Sequence, residues 1–190
     1  MQKWLNGLIV VSSIALYGCA GAGSTTSGAQ QRQLQSLQLF AADDTPCFSL
    51  YVACTSDSVN CVNVGNAVFA WARDHDVTVH NVDSDDPAFT ATASRAAEIA
   101  LPYRVAIDYR PSVVPGYSAS SYKQSSESFA PTVGYRAVIS VFQAATGKLL
   151  MRSPVRNQQA ADHGKTSNPY VRSQMIELLD SLEPSAKDSR

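Results

Sequence analysis

The sequence predicts an α/β domain of the mixed α+β kind, a two-layer sandwich with a mixed sheet of about five strands and three helices. Two observations predict it. Apolar residues recur at every second position in short runs, and at every third or fourth position in the runs between them. Early in the chain these two periods alternate, as a parallel crossover requires, whereas two late strand-like runs are joined by a four-residue turn. With 190 residues, 45% of them hydrophobic, one compact domain is the natural count.

Residues 37–40 alternate weakly and suggest a short edge strand. Phe48, Leu50 and Val52 alternate with Ser49, Tyr51 and Ala53, a strand with one face in the core. A polar connection over residues 55–60 follows. Val64, Ala67, Val68 and Trp71 then fall at i, i+3, i+4 and i+7, which predicts a helix over about residues 63–74 with Trp71 as a core anchor. Val77, Val79 and Val82 mark the next strand. Asp86 before Pro87 is a helix start, because the carboxylate accepts free backbone N–H groups and proline suits the first turn. Phe89, Ala93, Ala96, Ala97 and Ala100 continue at helical spacing up to Pro102. The acidic run 83–86 lacks the glycine and distal glutamate of an EF-hand calcium loop, so capping explains it better.

Residues 103–110 have the cleanest two-residue period in the chain, and Pro111 is expected to end that strand. Residues 112–131 show no usable period and are read as a long loop, with Pro115-Gly116 a turn signal. Tyr117 and Tyr122 in this serine-rich stretch are the candidate partner-binding residues. Residues 133–142 are apolar on both faces, as in a covered central strand. The turn 144–147 sends the chain back through residues 148–153 as a hairpin. After a polar segment over 156–167, Asn168 is expected to cap the last helix and Pro169 to begin it. Val171, Met175, Leu178, Leu179 and Leu182 supply its apolar stripe.

The N-terminal residues have a different character. Lys3 gives a positive start and residues 8–16 form an apolar run, shorter than the roughly 20 residues a bilayer-spanning helix needs. The run ends at Leu16-Tyr17-Gly18-Cys19, the layout of an export signal. These four residues resemble the lipobox of bacterial lipoproteins; Leu16 and Gly18 fit that pattern and Tyr17 departs from it. The resemblance implies cleavage before Cys19, which then carries acyl chains such as palmitate. Two or more chains hold stably to a membrane where one does not. Ala20 after the cysteine, in place of Asp, implies sorting to the outer membrane with the domain facing the periplasm. The organisation expected is a signal peptide over 1–18, the lipidated cysteine and a flexible tether over 19–35, one α/β domain over 36–184, and a disordered tail over 185–190.

Net charge is −1 and the predicted pI about 6.3, which gives no electrostatic case for nucleic acid or for a basic membrane-binding face. Beyond Cys19 the cysteines are Cys47, Cys54 and Cys61. An oxidising compartment favours one bridge among them, and Cys54–Cys61 would tie a strand end to the next helix. None of the spacings is CxxC. No G-x-S-x-G, H-E-x-x-H, Walker A or G-x-G-x-x-G pattern occurs, so no catalytic residue, metal ligand or cofactor is assigned. His75 and His80 lie across a helix–strand junction and His163 in a polar segment, none at metal-ligand spacing on one element. The expected function is a binding or assembly module for another envelope component, a protein or a cell-wall element. The alternative is a small tethered periplasmic enzyme or thiol-redox factor, for which a Cys47–His80 pair is the available chemistry.

Overall fold

The computed structural model describes residues 28–56, 58–90, 101–114, 117–120, 125–128, 131–162 and 166–183. It contains α1 (Gly28–Ser36), β1 (Phe48–Cys54), α2 (Ser58–Asp74), β2 (Val79–Asn81), β3 (Tyr103–Val114), β4 (Tyr117–Ser120), β5 (Ser125–Ser128), β6 (Thr132–Gln143), β7 (Leu149–Ala160) and α3 (Asn168–Asp180). The main sheet has the order β2-β1-β3-β6-β7. β1 pairs in parallel with both β2 and β3, whereas β3–β6 and β6–β7 are antiparallel. Among the described residues this is a mixed five-stranded sheet with three helices, the α+β class that the two periods predict, although α1 is not one of the helices expected from them.

The helices form one layer. From β1 come Phe48, Leu50 and Val52, from β3 Val105, Ile107 and Tyr109, and from β6 Tyr135, Ala137, Ile139 and Val141, all buried in one cluster with the stripes of α2 and α3. β1 is buried along both faces, since it has a strand on each side, helices on one face and the segment after β2 on the other. That second face carries a smaller cluster in which Val82, Ala88 and Phe89 cover Tyr51, Ala106 and Phe142.

Several boundaries differ from expectation, each for a physical reason. The stretch read as a tether ends in α1, whose Leu34 is buried in the core. Residues 37–40 give only an isolated bridge, Phe40 to Pro46. α2 begins at Ser58, earlier than its apolar stripe, and the Cys54–Cys61 disulfide joins its first turn to the end of β1. Asp86 does cap, accepting from the Ala88 N–H at 2.7 Å, but it opens a 3-10 turn over Pro87–Phe89; residues 91–100 lie outside the described residues. Pro111 does not end β3, which continues to Val114. β1 stops opposite Tyr109, so beyond that point β3 has a free edge, where a proline's missing N–H costs no ladder bond. β7 likewise runs through Pro154 to Ala160 because it is an edge strand, and this absorbs the start of the expected polar segment. The expected loop over 112–131 contains the β4–β5 hairpin, a separate two-stranded sheet. Asn168 is the first helical residue of α3; Ser167 precedes it and makes no side-chain cap bond.

Two close approaches need glycine. Gly147 turns the β6–β7 hairpin at φ 67°. At Gly134 a Cβ would sit 2.6 Å from the Asn157 carbonyl oxygen.

Tyr109 and Tyr135 stack inside the core with ring centroids 4.9 Å apart, and neither hydroxyl has a hydrogen-bond partner. Burial pushes both phenols far above their usual range, reinforced at Tyr109 by Tyr135 and at Tyr135 by Glu177. In the unfolded chain each phenol ionises near pH 10. Above that pH the unfolded state therefore binds fewer protons than the folded one, and stability falls as pH rises. The slope is about 1.4 kcal/mol per pH unit for each tyrosine. Denaturant titrations between about pH 10 and 11.5 should show this loss, and Tyr109→Phe or Tyr135→Phe should each halve the part of the slope due to the pair. At neutral pH, removing an unpartnered hydroxyl should change stability by less than about 1 kcal/mol.

Candidate functional site

The strand register places arginines where composition does not reveal them. In the antiparallel ladder Arg110 stands directly opposite Arg136, and Arg136 directly opposite Arg156. The three form one row across β3, β6 and β7 on the face away from the helices, and all three are exposed. Arg152, opposite Ser140, is exposed on the same face of β7. Cα atoms in such a row are about 5 Å apart. The neighbouring rows are Asp108-Val138-Pro154 on one side and Ser112-Gly134-Gln158 on the other, so small and uncharged residues flank most of the arginines.

Like charges directly opposite one another in a sheet are unfavourable. Arg110 is offset by Asp108, with Nη2 to Oδ2 at 2.9 Å, and that hydrogen bond followed by the carboxylate's charge pushes its guanidinium higher still. Arg136 has no acidic partner among the described residues. Arg104, further along the same face, belongs to the fold. It is buried, donates from Nη2 to the Thr90 carbonyl at 2.7 Å, and lies 4.5 Å from the Phe142 ring centroid. The near-zero net charge does not reveal this local alignment of arginines. Sequence could not find it: Arg110 ends a periodic run, Arg136 interrupts an apolar one, and Arg156 was assigned to a polar segment. Pairing alone aligns them.

A second feature lies in the helical layer. A cleft of about 530 Å³ is rimmed by Asp43, Asp44, Asp74, Asp76, Glu183 and His75. His75 stacks on Trp71 at 4.3 Å, its Nδ1 is 2.7 Å from the Trp71 carbonyl oxygen, and its Nε2 is 2.9 Å from Glu183 Oε1. Both partners present acceptor oxygens to the ring nitrogens. Trp71 Nε1 donates to Asp180 Oδ1 at 3.0 Å. Together these contacts pin the end of α3 to α2. Asp76 closes α2 in the left-handed region at φ 54°, with the Val77 N–H reaching back to the Ala72 carbonyl at 2.9 Å, a Schellman-type end. Hydrogen bonding to Thr45 holds the exposed Asp43 carboxyl below its usual range. Among the described residues no set of three His, Cys, Asp or Glu side chains is arranged to hold a metal ion.

Of the residues singled out from sequence, Cys54 and Cys61 are joined. Cys47 is a half-buried free thiol at the start of β1. His80 pairs in register with Tyr51 and stacks on it at 4.6 Å. Tyr51 lies four residues beyond Cys47 along the strand, about 13 Å, so the fold does not bring this Cys–His pair together. Tyr117 lies in β4 without a described side chain, and Cys19, Tyr122 and His163 lie outside the described residues. No described helix is long and apolar enough to cross a membrane.

No protein-family model matches this chain, and no curated protein matches it. Among solved structures it is similar to the PelC dodecamer from Paraburkholderia phytofirmans, at 10% identity and TM-score 0.42, over 72% of this chain and 88% of that one. It is similar to a neuraminyllactose-binding hemagglutinin homolog from Helicobacter pylori at 7% identity and TM-score 0.44, over 74% and 83%. It is also similar to lipoprotein GNA1162 from Neisseria meningitidis at 13% identity and TM-score 0.34, over 71% and 99%. Likenesses at this level concern the arrangement of the backbone and carry nothing about function.

If the arginine row opposes folding, relieving it should help. Arg136→Thr puts a good strand former in its place and should leave the domain at least as stable, with a gain of up to about 0.5 kcal/mol at low salt. The gain should shrink in about 1 M salt, where charges are screened within about 3 Å. Urea midpoints at the two salt concentrations test both statements.

Proposed function

We propose that the chain is a lipoprotein of a bacterial outer membrane, held through acylated Cys19, whose periplasmic α+β domain is a binding or assembly module for another envelope component. The observation that carries this reading is the apolar run over residues 8–16 ending at Leu16-Tyr17-Gly18-Cys19. The Cys54–Cys61 bridge supports it, because such bonds persist in oxidising compartments outside the cytosol. A bridge closing so short a loop contributes about 2–3 kcal/mol in the chain-entropy account. A role in binding fits a domain whose distinguishing surface is an exposed row of guanidinium groups.

The reading is tested at residue 19. The wild-type product should have an intact mass corresponding to a chain that starts at Cys19 with acyl groups added, and should sediment with the outer membrane. Cys19→Ser should abolish the acyl mass and release the acylation-dependent fraction. A native product with an unmodified amino terminus, or one that keeps Met1, refutes the proposal.

A further inference from the structure

The basic face has a specific occupant in an anchored protein. We propose that Arg110, Arg136, Arg152 and Arg156 dock the domain onto the phosphate headgroups of anionic phospholipids, so that the domain lies against the leaflet that holds its anchor. This rests on the lipoprotein reading. Guanidinium groups carry the chemistry: each is a planar fork that grips phosphate oxygens in pairs, and each keeps its charge at any physiological pH. Three of them span about 10 Å across the sheet, and Arg152 extends the patch about 13 Å along β7.

Protection of the β7 edge against pairing with other strands would account for charges on β7 alone. It does not account for Arg136 on β6, which has a strand on both sides. Only Asp108 brings a carboxylate to the three central rows of this face.

The chain that leads to the anchor selects a membrane over other anionic partners. Gly28 lies nine residues beyond Cys19, a reach of at most about 30 Å. α1 packs beside β7, the strand that carries Arg152 and Arg156. The tether leaves from the helical layer at this edge, and a reach of about 30 Å rounds the edge to bring the arginine face to the headgroups. An anionic surface draws each nearby arginine by about 1 kcal/mol, a factor of about five in partitioning.

The test uses the full-length Cys19→Ser chain, so that acylation plays no part in the measurement. Partitioning is measured on vesicles of phosphatidylcholine alone and with about one third phosphatidylglycerol. The ratio between the two vesicle types cancels the contribution of the apolar N-terminal run. The expected ratio is large at low salt and collapses at high salt. It should fall about 25-fold in R136Q/R156Q, with circular dichroism showing the fold retained. R73Q/R172Q, which removes two exposed helical arginines, should leave it unchanged. An unchanged ratio in R136Q/R156Q, or an equal fall in R73Q/R172Q, overturns the proposal. So does retention on a polycarboxylate with no preference for phosphatidylglycerol. If the native product proves unacylated, the anchored reading fails by its own mass measurement, whereas the vesicle ratio reports on the arginine face alone.

Discussion

The ladder joining β3, β6 and β7 is the constraint on which the rest depends. Each strand alternates its side chains between faces, so one register decides at once what is core and what is surface. In the observed register Val105, Ile107, Tyr109, Tyr135, Ile139 and Val141 face the helices, and Arg110, Arg136 and Arg156 face away. A slip of one residue in β6 would carry Arg136 into the core and expel Tyr135 and Ala137. The cost of burying an unpaired guanidinium, several kcal/mol, excludes that alternative. The arginines therefore help to specify the register even though they repel one another within it.

The helical layer is set by different means. Apolar stripes on α2 and α3 supply the burial, and a few polar contacts fix how the two helices lie together. Trp71 serves both purposes: its ring is buried against Phe40 and His75, while its Nε1 reaches Asp180. Gln174, fully buried on α3, ties that helix to the sheet by donating to the Val133 carbonyl at 3.1 Å. Such contacts add little net energy, but they select one rotation of α3 among several that would bury similar area.

How much of this the sequence makes legible follows from the range of the interaction involved. Period and capping are local, so the fold class, the α2 stripe, the Asp86 cap and the β6–β7 hairpin can all be read directly. The Cys54–Cys61 pairing was also accessible, since strand end and helix start are adjacent in sequence. Proline misled at Pro111, because its meaning in a strand depends on whether a neighbour waits on that side, and only the sheet order says so. α1 escaped notice because GAQQRQLQS has little apolar content and is held mainly through Leu34. The arginine row is the least local feature of all: its members are 26 and 20 residues apart in the chain and meet only through two pairings.

The position of the free thiol relative to the bridge has a consequence for how the protein matures. Cys47 precedes β1 and Cys54 ends it, seven residues and about 23 Å apart once the strand is extended. A disulfide needs Cα atoms within about 7 Å. β1 thus acts as a rigid ruler. As soon as it joins the sheet, Cys47 is carried out of range of the neighbouring bridge, and exchange between that thiol and the bridge is blocked by distance.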